Sequence, residues 1–250
     1  MAEAFAILWG RAARGGEIDL AALTGDVEAD QAVLVEPGRT PPFRLNSDSG
    51  RRVPPERLTE LAGTDAKLAA LKEATARGLD LFARHPRRFL DRYFDFIAAR
   101  VEAERLALQQ RLAWSGGLFG HRDWVFSALR PMPRPVLATM ADGRARAVQW
   151  VADFAFWTGD EAVLVMIRGA GSGQAACAAP SAWPVRTIAL APTDLDLGEA
   201  LFTRERFGTA FVDFWNGEPW PAGPFRPRGL EKLGTQPAVA TTRQPTALGD

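Results

Sequence analysis

The chain has 250 residues, 30 basic and 30 acidic side chains, 47% apolar residues and a single cysteine, Cys177. The apolar fraction is that of a globular protein; one cysteine permits neither an internal disulfide nor a thiolate metal cluster, and two histidines, His85 and His121, exclude a multi-histidine metal site. Balanced charge provides no global field to draw in nucleic acid, so any such binding has to use a local patch.

No run of 18 apolar residues exists, so no membrane span is expected. The start, Met1 to Trp9, has an acid, Glu3, where a secretory leader needs basic residues, and a cytoplasmic location is the expectation. Residues 1–55 read as an irregular N-terminal extension. Short strands or turns are possible at Ile18 to Leu23 and Gln31 to Val35, but Pro37, Gly38, Pro41, Pro42, Gly50, Pro54 and Pro55 deny any long element. The extension is expected on the outside of the main body.

Residues 56–230 are expected to form a single α/β domain, with long helices over 56–113 and a sheet with helices over 133–215. The segment Ala66 to Arg84 is rich in Ala, Leu, Lys and Glu, which lose little entropy in a helix. His85-Pro86 interrupts it, and a second helix starts there, with proline tolerated in the first turn. In this helix Leu90, Phe94, Ile97, Val101, Leu108 and Leu112 recur at helical spacing and form one apolar stripe. Glu104 falls in that stripe. A carboxylate there needs a salt bridge, an exposed end of the stripe, or a metal.

Val136 to Met140 reads as a short strand. The clearest β pattern follows: an apolar run from Ala147 to Trp157, the turn Thr158-Gly159-Asp160, and a second run from Ala162 to Ile167, together a hairpin. The second run has almost no polar residue, as in a strand covered on both faces. If Trp157 faces Ala162, the same register sets Asp153 opposite Met166. Val185 to Leu190 reads as another buried strand. Leu197 to Trp215 reads as an amphipathic helix, with Asp196 as its N-cap. Residues 231–250 are expected to be a disordered tail.

The order long helix, three strands, short helix, strand, together with the segment Val151 to Gly169, resembles the PD-(D/E)XK nuclease superfamily. The resemblance implies a restriction-endonuclease-like core (α-β-β-β-α-β). It also implies a site in which Asp153 and a helix carboxylate, Glu104, hold Mg²⁺ while Arg168 grips a phosphate. Hard cations need oxygen ligands converging from adjacent elements. Residues two apart on a strand share a face, so positions 166 and 168 point the same way. The match is partial. Ala152 stands where the family has proline, Met166 where it has the second acid, and Arg168 where it has lysine. A thioether is a poor Mg²⁺ ligand, and arginine stays protonated and cannot act as a base. The resemblance therefore implies a degenerate site acting in nucleic-acid or protein binding, with an atypical Mg²⁺-dependent phosphodiesterase as a further possibility.

Other patterns compete. Gly169-Ala170-Gly171-Ser172-Gly173 follows a strand, with Asp194 after the next one, but the third glycine of a dinucleotide fingerprint is misplaced. No P-loop lysine is present. Cys177 and His121 lack any hydrolase signature, and a small core cysteine is the simpler expectation. Near the C-terminus Trp220, Phe225, Arg226 and Arg228 combine residue types common at interfaces. They support the alternative of a structural or assembly protein that contacts a protein partner through its helical arm and C-terminal segment.

Overall fold

The two apolar runs either side of Thr158-Gly159-Asp160 pair antiparallel as β7 (Phe154–Trp157) and β8 (Ala162–Ile167), with Trp157 opposite Ala162 as the pattern predicts. Gly159 turns the chain at φ +103°, a backbone conformation closed to most side chains, and a Cβ there would lie 3.2 Å from the Pro42 ring. The computed structural model describes residues 5–9, 17–19, 32–45, 63–80, 82–113, 119–141, 144–148, 152–168 and 183–215. Within them the protein is mixed α/β.

Two sheets form. The smaller has the order β4 (Met132–Pro133), β7, β8, β9 (Val185–Leu190), with β8 and β9 parallel and the other pairs antiparallel. The larger has the order β2 (Glu17–Asp19), β6 (Arg144–Val148), β5 (Val136–Ala141), β1 (Phe5–Leu8), β3 (Ala32–Val35), with every pair antiparallel.

Strand alternation then sorts the side chains of the small sheet. Phe154, Phe156, Val163, Val165, Ile188 and Leu190 join a core shared with the helices. Ala155, Trp157, Ala162, Leu164 and Met166 join a second core with Phe5, Ile7 and Leu137 of the large sheet. The period of two along each strand does this. It also explains the unbroken apolar run of β8, which is covered on both faces. The result is three layers: helices, small sheet, large sheet.

The helical layer centres on α2 (Arg84–Ala103), which follows α1 (Thr64–Ala76) and precedes α3 (Arg105–Arg111). The expected stripe is buried: Leu90, Phe94, Ile97, Val101, Leu108 and Leu112. Phe89 and Tyr93 add to it and pack on Phe154, Phe156, Phe202 and Phe211 with ring centroids 5.1–5.9 Å apart. Each such fully buried aromatic stabilises by about 1.5–3 kcal/mol.

Four expectations need correction. The N-terminal region is not an outer extension, since β1 lies inside the large sheet between β3 and β5 and Phe5 to Leu8 are buried. The short apolar run at Phe5–Leu8 is long enough for an inner strand. The second helix does not run unbroken to residue 113, because Glu104 leaves helical geometry at φ −97°, ψ 15°. The apolar run 147–157 is two strands in different sheets, β6 and β7. The segment 197–215 is a 3₁₀ helix (Pro192–Leu201), kinked at Gly198, followed by the short α4 (Arg204–Phe207) and α5 (Thr209–Val212). Trp220, Phe225, Arg226, Arg228, Cys177, the 169–173 glycine run and the 231–250 tail lie outside the described residues. Among the described residues no helix is long and apolar enough to cross a membrane.

Candidate functional site

Asp153 precedes β7, and the antiparallel pairing sets it beside the end of β8. Its backbone N–H donates to the Val165 carbonyl at 2.9 Å, and its Oδ2 accepts from the Ile167 N–H at 2.6 Å. The carboxylate thus takes the place of a backbone acceptor where the β7–β8 ladder runs out. Burial raises its pKa above the ordinary carboxylate value. The Ile167 hydrogen bond and the charges of Arg168 and His85 oppose that rise without cancelling it.

Arg168 continues β8, its N–H donating to the Leu190 carbonyl at 2.9 Å and its Nη2 lying 3.2 Å from the Met166 sulfur. Arg168 is near enough for its charge to act on the Asp153 carboxylate. Met166 is buried between the two sheets. Alternation thus points position 166 into the inter-sheet core.

Arg134, Asp80 and His85 lie toward this end of the small sheet. Arg134, at the end of β4, donates its backbone N–H to the Asp153 carbonyl at 2.9 Å, and its side chain pairs with Asp80 at 2.5 Å. It is the one described non-glycine residue with positive φ, at 50°. Such a conformation costs about 1–2 kcal/mol. His85, in the first turn of α2, contributes its field to Asp153. Neither Asp80 nor Arg134 is marked in the sequence, because 54 residues separate the pair and only the packing of the α1–α2 connection on β4 joins them.

Glu104 is elsewhere. It accepts from Arg100 at 2.9 Å, and Arg100 also reaches Asp213 at 3.2 Å. Arg204 completes the group with a two-pronged contact on Asp213 at 2.7 and 3.1 Å, and the Arg100 guanidinium lies 4.9 Å from the Trp215 ring centroid. Burial opposes ionisation of Asp213, but the hydrogen bonds and charges of Arg204 and Arg100 outweigh it and hold the carboxyl below its usual range. At 1.5 Å per residue, Glu104 lies roughly 28 Å along the helix from His85, the α2 residue whose field reaches Asp153. The structure does not bring Glu104 and Asp153 together. The salt bridge anticipated as one option for a carboxylate in the stripe is the observed arrangement.

The donor set beside Asp153 does not fit a hard divalent cation. It offers one carboxylate, with an oxygen already engaged by Ile167, next to a thioether and a guanidinium. Among the described residues no group of three His, Cys, Asp or Glu is placed to hold a metal. Two other residues weighed in the sequence have structural partners. Asp194 accepts from the Ala191 N–H at 2.9 Å and so caps its own 3₁₀ helix. His121 pairs with Glu102 at 2.9 Å. Asp196, expected as an N-cap, instead pairs with Arg88 of α2.

No protein-family model, curated protein or solved structure matches this chain.

Proposed function

We propose that this chain is a binding protein built on a nuclease-like core, one that engages a partner without hydrolysing phosphodiesters. Support for the core comes from the small sheet: α2 precedes three antiparallel strands, β4, β7 and β8, and β9 then joins parallel to β8. The α-β-β-β-…-β order accommodates β5 and β6 as a detour into the large sheet. The observation that carries the non-hydrolytic assignment is the isolation of Asp153. Its expected helix partner Glu104 is committed to Arg100 at the far end of α2, and Met166 occupies the second acid's position inside the core.

Metal-assisted hydrolysis needs oxygen ligands that converge on the cation. A single partly engaged carboxylate does not supply them. Isothermal calorimetry with MgCl₂ and with MnCl₂ tests the proposal. Wild type and Asp153→Asn are expected to give the same non-saturating heats of dilution. Saturable heat in wild type that disappears in Asp153→Asn would restore the alternative of an active Mg²⁺-dependent phosphodiesterase with an atypical site. The assembly-protein alternative draws its support from three large apolar side chains left at the surface among the described residues, Phe82, Leu106 and Leu197, which are 95%, 74% and 52% exposed.

A further inference from the structure

Helix α2 begins against the ordinary electrostatics of a helix. The positive end of the macrodipole favours carboxylates and disfavours cations, by about 0.3–1 kcal/mol per charge. The first turn of α2 nonetheless holds no acid, and Ala83 before it makes no side-chain cap. The turn contains Arg84, His85, Arg87 and Arg88. Arg88 pairs with Asp196, and His85 acts on Asp153 through its field. Among the described residues Arg84 and Arg87 meet no carboxylate, and the Arg87 Nε is buried without a partner. Two residues before the helix stands Phe82, the most exposed large apolar side chain among those described. Arg84 and Arg87, three apart, share one helical face.

We propose that Phe82, Arg84 and Arg87 form a docking surface for an acidic peptide segment of a partner protein, whose carboxylates pair with the two guanidiniums while an apolar side chain covers the Phe82 ring. Charge complementarity selects the anion, and the length of the patch selects the class. Beyond the first turn the helix surface alternates in sign: Asp91 pairs with Lys72, and Arg92 lies 4.0 Å from Asp95. The unbroken positive surface is thus about one turn, some 5.4 Å, long. A polynucleotide gains affinity with each phosphate it neutralises through counterion release. Here it would meet two guanidiniums that have no carboxylate among the described residues, one of them with its Nε buried, and then Asp91 and Asp95, on a chain whose formal net charge is zero. A short acidic peptide ends where the positive surface ends. The exposed aromatic supplies the apolar anchor that interfaces of this kind use.

This inference rests on the binding role above and names its partner class. Its residues are not those of the metal titration, so the two tests fail separately. Fluorescence anisotropy on the full chain would use a labelled peptide of about twelve residues in which Asp and Glu alternate with Leu and Phe. A second probe would carry Lys at the acidic positions, and a third would be single-stranded DNA of similar length. The acidic peptide is expected to bind saturably and the basic one not to bind. Arg84→Glu with Arg87→Glu should weaken binding by about tenfold or more, and Phe82→Ser by about three- to tenfold. Arg84→Gln alone should give a smaller loss in the same direction and keeps the test readable if the double variant fails to fold. Arg39→Glu, on the turn beside Gly159 at the other end of the small sheet, should leave binding unchanged. Absence of saturable binding, equal binding by wild type and the Arg84 and Arg87 variants, or tighter binding of the DNA probe that those variants abolish would each overturn the proposal.

Discussion

Asp153 shows how one residue can be read correctly for position and incorrectly for partners. Its placement opposite Met166 follows from hairpin register alone, and the sheet honours it through the Trp157–Ala162 pair. Its protonation behaviour follows from burial. Because burial raises its pKa above the unfolded value, the folded protein holds this proton more tightly than the unfolded chain does. The contribution to stability is therefore greatest at low pH and is lost as pH rises from about 4 through the folded pKa. Asn keeps an acceptor for the Ile167 N–H and has no charge to desolvate. Asp153→Asn is expected to be more stable than wild type in urea unfolding at neutral pH, with the difference shrinking as pH falls toward about 4. A less stable variant at neutral pH would mean that the carboxylate's attraction to Arg168 and His85 exceeds its burial cost. Asp213 has the opposite sign: its depressed pKa contributes stability above the ordinary carboxylate range that is lost in acid.

At the scale of elements, apolar spacing shows the buried stripe of α2 and the doubly covered strand β8, because both periods are local properties of the chain. Element ends are less legible. The end of α1 is set by contact with another layer. A Cβ on Gly78 would lie 2.5 Å from the Pro133 Cγ and 3.3 Å from its Cβ. The pyrrolidine ring cannot swing away as a flexible side chain would. Gly78→Ala is expected to destabilise the protein by about 1–3 kcal/mol through overpacking, read as a lower urea midpoint with an unchanged m-value. A neutral result would show that the α1–α2 connection shifts freely on β4. The single apolar run 147–157 divides between two sheets for a related reason. Nothing in its local pattern states that the chain leaves the large sheet after Val148 and enters the small one at Phe154.

At the scale of the whole molecule, the small sheet is the shared wall of both cores, and Trp157 is its largest side chain on the inter-sheet face. It is fully buried, donates Nε1–H to the Thr40 carbonyl at 3.1 Å, and meets Phe5 edge-on at 6.0 Å. Trp157→Ala should cost about 3–5 kcal/mol. Both layers lean on this wall, so unfolding followed by far-ultraviolet circular dichroism and by fluorescence of the remaining tryptophans should stay coincident. Separate transitions would mean that the large sheet folds on its own. By itself the sequence determined the α/β class, the amphipathic helix and the β7–β8 hairpin, since short-range periodicity and turn chemistry act within a few residues. Only the tertiary structure decided that the first apolar run becomes an inner strand, that Met166 is enclosed between sheets, and that Arg100, the i−4 neighbour of Glu104, also meets Asp213, because layer assignment and long-range pairing depend on which surfaces meet in space.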